Sequence, residues 1–143
     1  MRRILLVAAA AMLVACIDSI DPSVPLPNTE TDVAGSFALS TANGQPLPIV
    51  AQTTTFAKWS IVADTLVIAN GGTWTETTSY VLDSLTSVGS STQQGTTAGT
   101  WAISNQQIHF TTTQGGSATF VGSLLRGTLT VAFNNGTFAY TKI

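Results

Sequence analysis

The chain has 143 residues, of which 44% are hydrophobic and only 8% are charged, and its formal net charge is −2. Five lysines and arginines spread over this length cannot form the basic face that nucleic-acid binding requires. The composition therefore argues against a nucleic-acid partner, and the length suffices for one domain with its own core.

The N-terminal segment predicts export. Arg2 and Arg3 precede residues 4–14, a run of eleven residues without a polar side chain. This run is too short to span a bilayer as a helix, which takes about 20 apolar residues. A positive start followed by a short apolar stretch is typical of a secretory signal peptide, which we place at residues 1–15.

The apolar run ends in Leu-Val-Ala-Cys at residues 13–16, which resembles the lipobox of bacterial lipoproteins. The resemblance implies cleavage before Cys16, lipidation of its thiol and attachment to a membrane in the bacterial cell envelope. Two or three acyl chains anchor a protein stably, whereas one does not. Cys16 is the only cysteine, so lipidation also explains a thiol that an exported protein would otherwise leave reactive. The alternative is a cysteine that lies by chance beside an ordinary cleavage site.

Two features after Cys16 bear on location and domain organisation. Ile17 stands where the lipoprotein family often carries an aspartate for inner-membrane retention, so an outer-membrane address is expected in a diderm host. Residues 16–33 include Pro22, Pro25 and Pro27, which favour an extended path. We therefore predict a lipidated cysteine and tether at 16–33 and a single domain at 34–143.

From residue 34 onward, short alternating segments are separated by turn signals such as Asn43-Gly44 and Asn70-Gly71-Gly72, and no helical period is convincing. Residues 84–98, rich in Ser, Thr, Gln and Gly, are predicted to form the longest loop. Short connections imply an antiparallel meander of about eight or nine strands, and closure as a small barrel would remove its exposed edges. The predicted strands lie at 36–40, 48–56, 59–68 with a bend near Ala63-Asp64, 73–82, 100–104, 107–111, from 118, 128–133 and from 138.

This domain resembles the small bacterial lipocalin-like lipoproteins. The resemblance rests on the Gly35-Ser36-Phe37 start, the Asn-Gly-Gln-Pro-Leu-Pro turn at 43–48 and the repeated Gly-Thr-aromatic segments at 72–74 and 99–101. It implies an all-β up-and-down barrel whose interior holds side chains or one small ligand. It implies no particular ligand, since most members of such groups have no assigned activity.

No group of residues in the chain matches a catalytic or metal-binding motif. His109 is the only histidine, and it alternates away from Ile108 and Phe110, which predicts a solvent-facing side chain. A metal site needs several convergent ligands, and a Ser-His-Asp triad would lack any supporting motif. We therefore expect no metal, no cofactor and no enzymatic activity. An enzyme would require a titrating pocket with at least two of the side chains Asp64, Glu76, Asp83 and His109.

Glu76 is the most informative polar residue of the domain. Alternation places it in register with Trp74 and Tyr80, which predicts a carboxylate inside a ligand cavity. The alternatives are an inverted register, which would turn the neighbouring threonines inward, or a place at an open rim. The aromatic residues can equally form a packed core. The candidate pocket residues are Trp74, Glu76, Tyr80, Trp101, Phe110 and Phe120.

These patterns favour a membrane-anchored, non-enzymatic envelope lipoprotein that binds a small apolar ligand or an envelope protein partner. The alternative is a structural or adhesive module of the cell surface with an open β-sandwich, which would require Greek-key crossovers. The strand order separates the two, because a meander pairs each strand with its neighbours in the chain.

Overall fold

The computed structural model describes residues 29–114, 118–134 and 136–143. The predicted signal peptide, Cys16 and most of the expected tether lie outside these residues, so the signal peptide and the lipidation of Cys16 stay predictions. Within the described ranges, no helix has the length and apolar character needed to cross a membrane.

The described chain opens with one helical turn, α1 (Glu30–Val33), which is stabilised by a capping box. The Asp32 carboxylate accepts a hydrogen bond from the Thr29 backbone N–H at 3.0 Å, and the Thr29 hydroxyl accepts one from the Asp32 N–H. Val33 is fully buried in the core. The expected extended path therefore does not continue to residue 33, because packing of Val33 includes α1 in the folded domain.

Ten strands follow in the described residues, and their inner faces carry the apolar side chains. Alternation with exposed threonines and serines gives the sheet one dry face and one wet face at a low total charge. The strands are β1 (Gly35–Ala42), β2 (Gln45–Pro46), β3 (Ile49–Thr53), β4 (Ala57–Ala69), β5 (Thr73–Ser84), β6 (Ser90–Ser104), β7 (Gln107–Thr112), β8 (Thr119–Leu125), β9 (Thr128–Phe133) and β10 (Gly136–Lys142).

Eight of these strands form a closed antiparallel barrel. β4 to β10 pair in chain order, β10 pairs with β1, and β1 closes the ring by pairing with β4 from Gly35↔Ile68 to Ala38↔Thr65. The short strands β2 and β3 lie outside the ring, β2 against β1 and β3 against β4. The predicted up-and-down barrel is confirmed. The open β-sandwich is wrong as an alternative, since β4 to β10 pair in chain order and β1 closes the ring between β10 and β4.

The predicted loop at 84–98 is wrong. Only Leu85–Gly89 connect β5 to β6, and Ser90 to Ala98 pair with β5 in a continuous ladder that includes Thr77↔Thr96. β7 pairs with β6 only from Gly99 onward. Thr96 and Thr97 still line the barrel interior. Residues 90–95 of β6, the facing part of β5, the first half of β4 and β3 extend past the end of β7 as a four-stranded arm. The polar composition that suggested a loop belongs to a strand with both faces largely exposed.

The two ends of the barrel differ. At the α1 end, the Glu30 carboxylate accepts a hydrogen bond from the Gly71 N–H at 3.1 Å, and Lys142 Nζ donates to the Ala34 carbonyl oxygen at 3.0 Å. The hydrophobic core fills this half of the barrel. We call the opposite end, from which the arm projects, the open end. The buried apolar side chains of the core are Val33, Phe37, Leu39, Leu66, Ile68, Trp74, Trp101, Ile108, Phe110, Leu129, Val131 and Tyr140.

Candidate functional site

A cavity of about 430 Å³ occupies the half of the barrel next to the open end. Its rim residues Gln114 and Phe133 are exposed, so the cavity reaches solvent. Ligand sites in proteins commonly enclose roughly 300–1,000 Å³, so the size suits one small molecule. The cavity is lined by Ile61, Asp64, Trp74, Glu76, Thr78, Tyr80, Thr96, Thr97, Thr112, Gln114, Ala118, Phe120, Val131, Phe133, Phe138 and Tyr140.

The structure brings four of the six candidate pocket residues to this cavity. Trp74, Glu76, Tyr80 and Phe120 line it, on the inner faces of β5 and β8. The other two do not line it. Phe110 is fully buried and Trp101 is 5% exposed, and both belong to the packed core at the α1 end.

An aromatic ladder runs from the core to the rim of the cavity. Phe110 and Phe120 stack with ring centroids 4.9 Å apart, and Trp74 meets Phe120 edge-on at 5.4 Å. Phe120 in turn contacts the rim residue Phe133 at 5.6 Å. Such contacts add roughly 0.5–1.5 kcal/mol each to the burial of the rings. The floor and one wall of the cavity are therefore rigid and apolar.

The opposite wall carries two carboxyl groups from adjacent strands. Asp64 on β4 pairs with Thr78 on β5, and Leu66 pairs with Glu76, so Asp64 and Glu76 are diagonal neighbours on the inner face. Thr78 Oγ1 donates a hydrogen bond to Asp64 Oδ2 at 2.9 Å. The structure thus places the buried Asp64 and the half-buried Glu76 side by side in the cavity.

Tyr140 completes the polar cluster from across the barrel. Its hydroxyl donates to Glu76 Oε1 at 2.9 Å, although β10 and β5 are not neighbouring strands. Burial, then the charges of Glu76 and Asp64, raise the pKa of Tyr140 well above its usual range, so the phenol stays protonated. Glu76 is therefore held in place by a fixed donor.

Asp64 is the electrostatically unusual member of the cluster. Asp64 is only 7% exposed, and its Oδ1 atom accepts no hydrogen bond from another described residue. Burial and, second, the negative charge of Glu76 raise the pKa of Asp64 to about 7. The Thr78 hydrogen bond opposes that rise, and a side-chain hydrogen bond with Glu76, formed while one of the two carboxyl groups holds a proton, adds to it. Asp64 therefore changes its charge near neutral pH, inside a cavity that faces solvent.

The described residues offer no metal site. They contain no group of three or more His, Cys, Asp or Glu side chains that could hold an ion. His109 is exposed on β7, as its alternation with Ile108 and Phe110 predicts. Asp83 forms an ion pair with Lys58 at 3.4 Å on the arm, away from the cavity.

Asp64 lines the cavity but is not among the candidate pocket residues predicted from the sequence. The pattern that predicts its position is the two-residue spacing that it shares with Leu66 and Ile68. Both of these are buried on the inner face of β4, and the same spacing turns Asp64 inward. Thr78 and Tyr140 were also not assigned to the pocket. Thr78 lies an even number of residues from Trp74 and Tyr80, which predicts that it faces inward with them. The hydrogen bond from Tyr140 to Glu76 depends instead on closure of the barrel.

Comparisons with protein-family models, with curated proteins and with solved structures find no match to this chain. The closed eight-stranded antiparallel barrel is nevertheless the architecture that the resemblance to lipocalin-like lipoproteins implies. Functional inference therefore depends on the cavity and on the N-terminal motif.

Proposed function

We propose that this protein is a lipid-anchored lipoprotein of the bacterial cell envelope, without enzymatic activity, whose barrel binds one small, largely apolar ligand. The observation that carries the proposal is the solvent-accessible cavity of about 430 Å³ beneath an aromatic wall. A barrel built only for stability would fill this half with side chains, as it fills the α1 end. In the other form of this proposal, the protein binds a second envelope protein, and the arm is the surface that contacts it.

The position of α1 is compatible with the proposed anchor. The described chain enters at Thr29 beside the α1 end, whereas the cavity opens at the other end of the barrel. The cavity therefore opens at the end of the barrel opposite the first described residues. In a diderm host, the motif at residues 13–17 favours the outer membrane.

A substitution that fills the cavity is expected to abolish ligand binding. Ala118 lines the cavity and is half-buried, so Ala118→Trp places an indole where a ligand would lie. Fluorescence titration of the full chain carrying Cys16→Ser with N-phenyl-1-naphthylamine, a neutral apolar dye, should show at least about a tenfold loss of affinity. Cys16→Ser prevents acylation, so no acyl chain competes for the cavity.

Ala102→Trp is the matched control, because Ala102 is exposed and pairs with His109 on the outer face of the barrel. This variant should bind the dye as the parent chain does. Equal binding by the two tryptophan variants would remove the cavity as the ligand site.

One observation favours a second candidate function, an acid–base enzyme. Asp64, with its pKa near 7, lies beside Glu76, and paired carboxyl groups in different environments are what general acid–base catalysis uses. Turnover of chromogenic glycosides or esters that both Asp64→Asn and Glu76→Gln abolish would support this candidate. We favour binding, because the cluster is paired with an apolar cavity and with no further catalytic side chain among the described lining residues.

A further inference from the structure

The unpartnered oxygen of Asp64 indicates what the cavity lacks. Asp64 Oδ1 is buried, lines the cavity and has no hydrogen-bond partner, whereas Oδ2 is occupied by the Thr78 hydroxyl. Buried polar atoms in native proteins are nearly always hydrogen-bonded. The exceptions accept a hydrogen bond from an ordered water, an ion or a ligand, so Oδ1 marks the position of such a donor.

No described cation of the chain supplies that donor. Lys58 pairs with Asp83 on the arm, and Lys142 donates to the Ala34 carbonyl oxygen at the α1 end. Arg126 lies in the turn between β8 and β9, and no lysine, arginine or histidine lines the cavity. Asp64 and Glu76 can share a hydrogen bond only while one of the two carboxyl groups holds a proton. When both are ionised, the donor must come from a molecule that enters the cavity.

The groups around Asp64 favour a positively charged donor. The titratable side chains that share the cavity with it are Glu76 and Tyr80 from β5 and Tyr140 from β10. All are acidic or neutral, and the negative charge of Glu76 disfavours the ionised form of Asp64. A bound cation would relieve this repulsion, whereas a neutral apolar molecule would leave it unchanged and an anion would increase it.

The other side chains that line the cavity indicate which kind of cation fits it. Trp74, Phe120 and Phe138 present apolar and aromatic surface to the same cavity, where ring faces attract a cation and ring bodies accept an apolar group. A bare metal ion would leave this surface without a partner, and the described residues offer it only two carboxylates. A compact charged head on an apolar body matches both sides of the cavity.

We propose that the cavity is a site for a small amphiphilic amine, with its ammonium group donating to Asp64 Oδ1 beside Glu76 and its apolar body against the aromatic wall. This inference rests on the proposed ligand-binding function and specifies its ligand class. The ammonium supplies the donor that Asp64 lacks and neutralises the acidic pair, and the aromatic ladder orients the apolar body.

Three probes of one size separate charge from apolar contact. They are 2-(1-naphthyl)ethylamine, which is cationic, 2-(1-naphthyl)ethanol, which is neutral, and 1-naphthylacetate, which is anionic. Calorimetric titration of the full chain carrying Cys16→Ser at pH 8 should show the amine binding at least about tenfold more tightly than the alcohol, as a charge-assisted hydrogen bond implies. The acetate should bind most weakly.

Charge removal at Asp64 should remove most of this preference. Asp64→Asn keeps an acceptor for Thr78 but removes the charge, so the advantage of the amine over the alcohol should fall to about the part that Glu76 supplies. Glu76→Gln should reduce the preference by a smaller factor, which covers the case in which Asp64→Asn does not fold. Asp83→Asn, on the arm, is the matched control and should keep the full preference.

The preference should also depend on pH. Lowering the pH from 8 to 5.5 protonates Asp64 while the ammonium stays charged, so amine affinity should fall by roughly tenfold or more and alcohol affinity should not.

The outcomes distinguish this inference from the function on which it rests. Equal binding of amine and alcohol at pH 8, or a preference that survives the double variant Asp64→Asn, Glu76→Gln, would overturn the amine site and leave apolar ligand binding in place. Failure of the amine and the alcohol alike to bind the parent chain would overturn both.

Discussion

Gly99→Ala is expected to lower the free energy of unfolding by about 3 kcal/mol, because the barrel has no space for a methyl group at this position. A Cβ atom at Gly99 would overlap the backbone carbonyl oxygen of Thr111 and would lie 2.7 Å from Nε1 of Trp74. Neither can move freely, since Thr111 belongs to the β6–β7 ladder and the Trp74 indole N–H donates to the Thr100 carbonyl oxygen. Urea unfolding of the parent chain and the variant, followed by tryptophan fluorescence, gives the difference.

Gly95→Ala is the control for this prediction. Gly95 lies on the same strand, but a Cβ atom there would meet only Cε2 of Tyr80, at an ordinary contact distance of 3.6 Å. We expect its stability to stay within about 1 kcal/mol of the parent chain. If Gly99→Ala unfolds at the same urea concentration as Gly95→Ala, the close approach of β6 and β7 at the base of the arm is wrong.

The second large effect is a loss of stability as the pH rises, caused by ionisation of Asp64. Its pKa is raised from 3.8 in the unfolded reference to about 7 in the folded protein. Between these values, the folded state holds a proton that the unfolded state has lost, so this contribution is complete below pH 3.8 and disappears as the pH rises through 7. A shift of about three pKa units corresponds to roughly 4 kcal/mol.

Asp64→Asn isolates this contribution, because the amide does not titrate. The free energy of unfolding of Asp64→Asn minus that of the parent chain should increase by about 3 kcal/mol between pH 5 and pH 8. Asp83→Asn, which removes an exposed carboxylate, should show no such increase. Parallel pH profiles of the parent chain and Asp64→Asn would mean that Asp64 is not the buried, charge-repelled group described above.

The register of the acidic wall was within reach of the sequence. The Asn70-Gly71-Gly72 turn joins Ala69 to Thr73, and counting outward from that pair places Leu66 opposite Glu76 and Asp64 opposite Thr78. The same alternation that predicts an inward Glu76 therefore predicts an inward Asp64. Continuing this count through the turn is enough to place both carboxyl groups on one wall.

Other parts of the site depend on tertiary structure that no local pattern encodes. Tyr140 reaches Glu76 across the interior, which requires the β1–β4 pairing that closes the ring. Trp101 and Phe110 were expected at the pocket because they face inward, but facing inward does not specify the half of the barrel. Both side chains lie in the half of the barrel nearest α1, where they belong to the same packed core as Val33.

The arm shows the opposite effect, in which composition is misleading. Ser90 to Ala98 lack apolar alternation, because most of this part of β6 extends past the end of β7 and buries neither face fully. Its strand conformation comes from hydrogen bonds to β5 and from pairs of β-branched residues such as Thr77↔Thr96. A sequence pattern based on one buried face cannot detect such a strand.

The central claim, that the barrel holds one amphiphilic amine beside Asp64, is tested most directly by a crystal structure. The full chain carrying Cys16→Ser would be soaked at pH 8 with 2-(1-naphthyl)ethylamine. We predict the naphthyl rings against Trp74 and Phe120, and the amine nitrogen within hydrogen-bond distance of Asp64 Oδ1. A barrel interior filled by side chains, or a probe bound only on the outer surface, would contradict the claim.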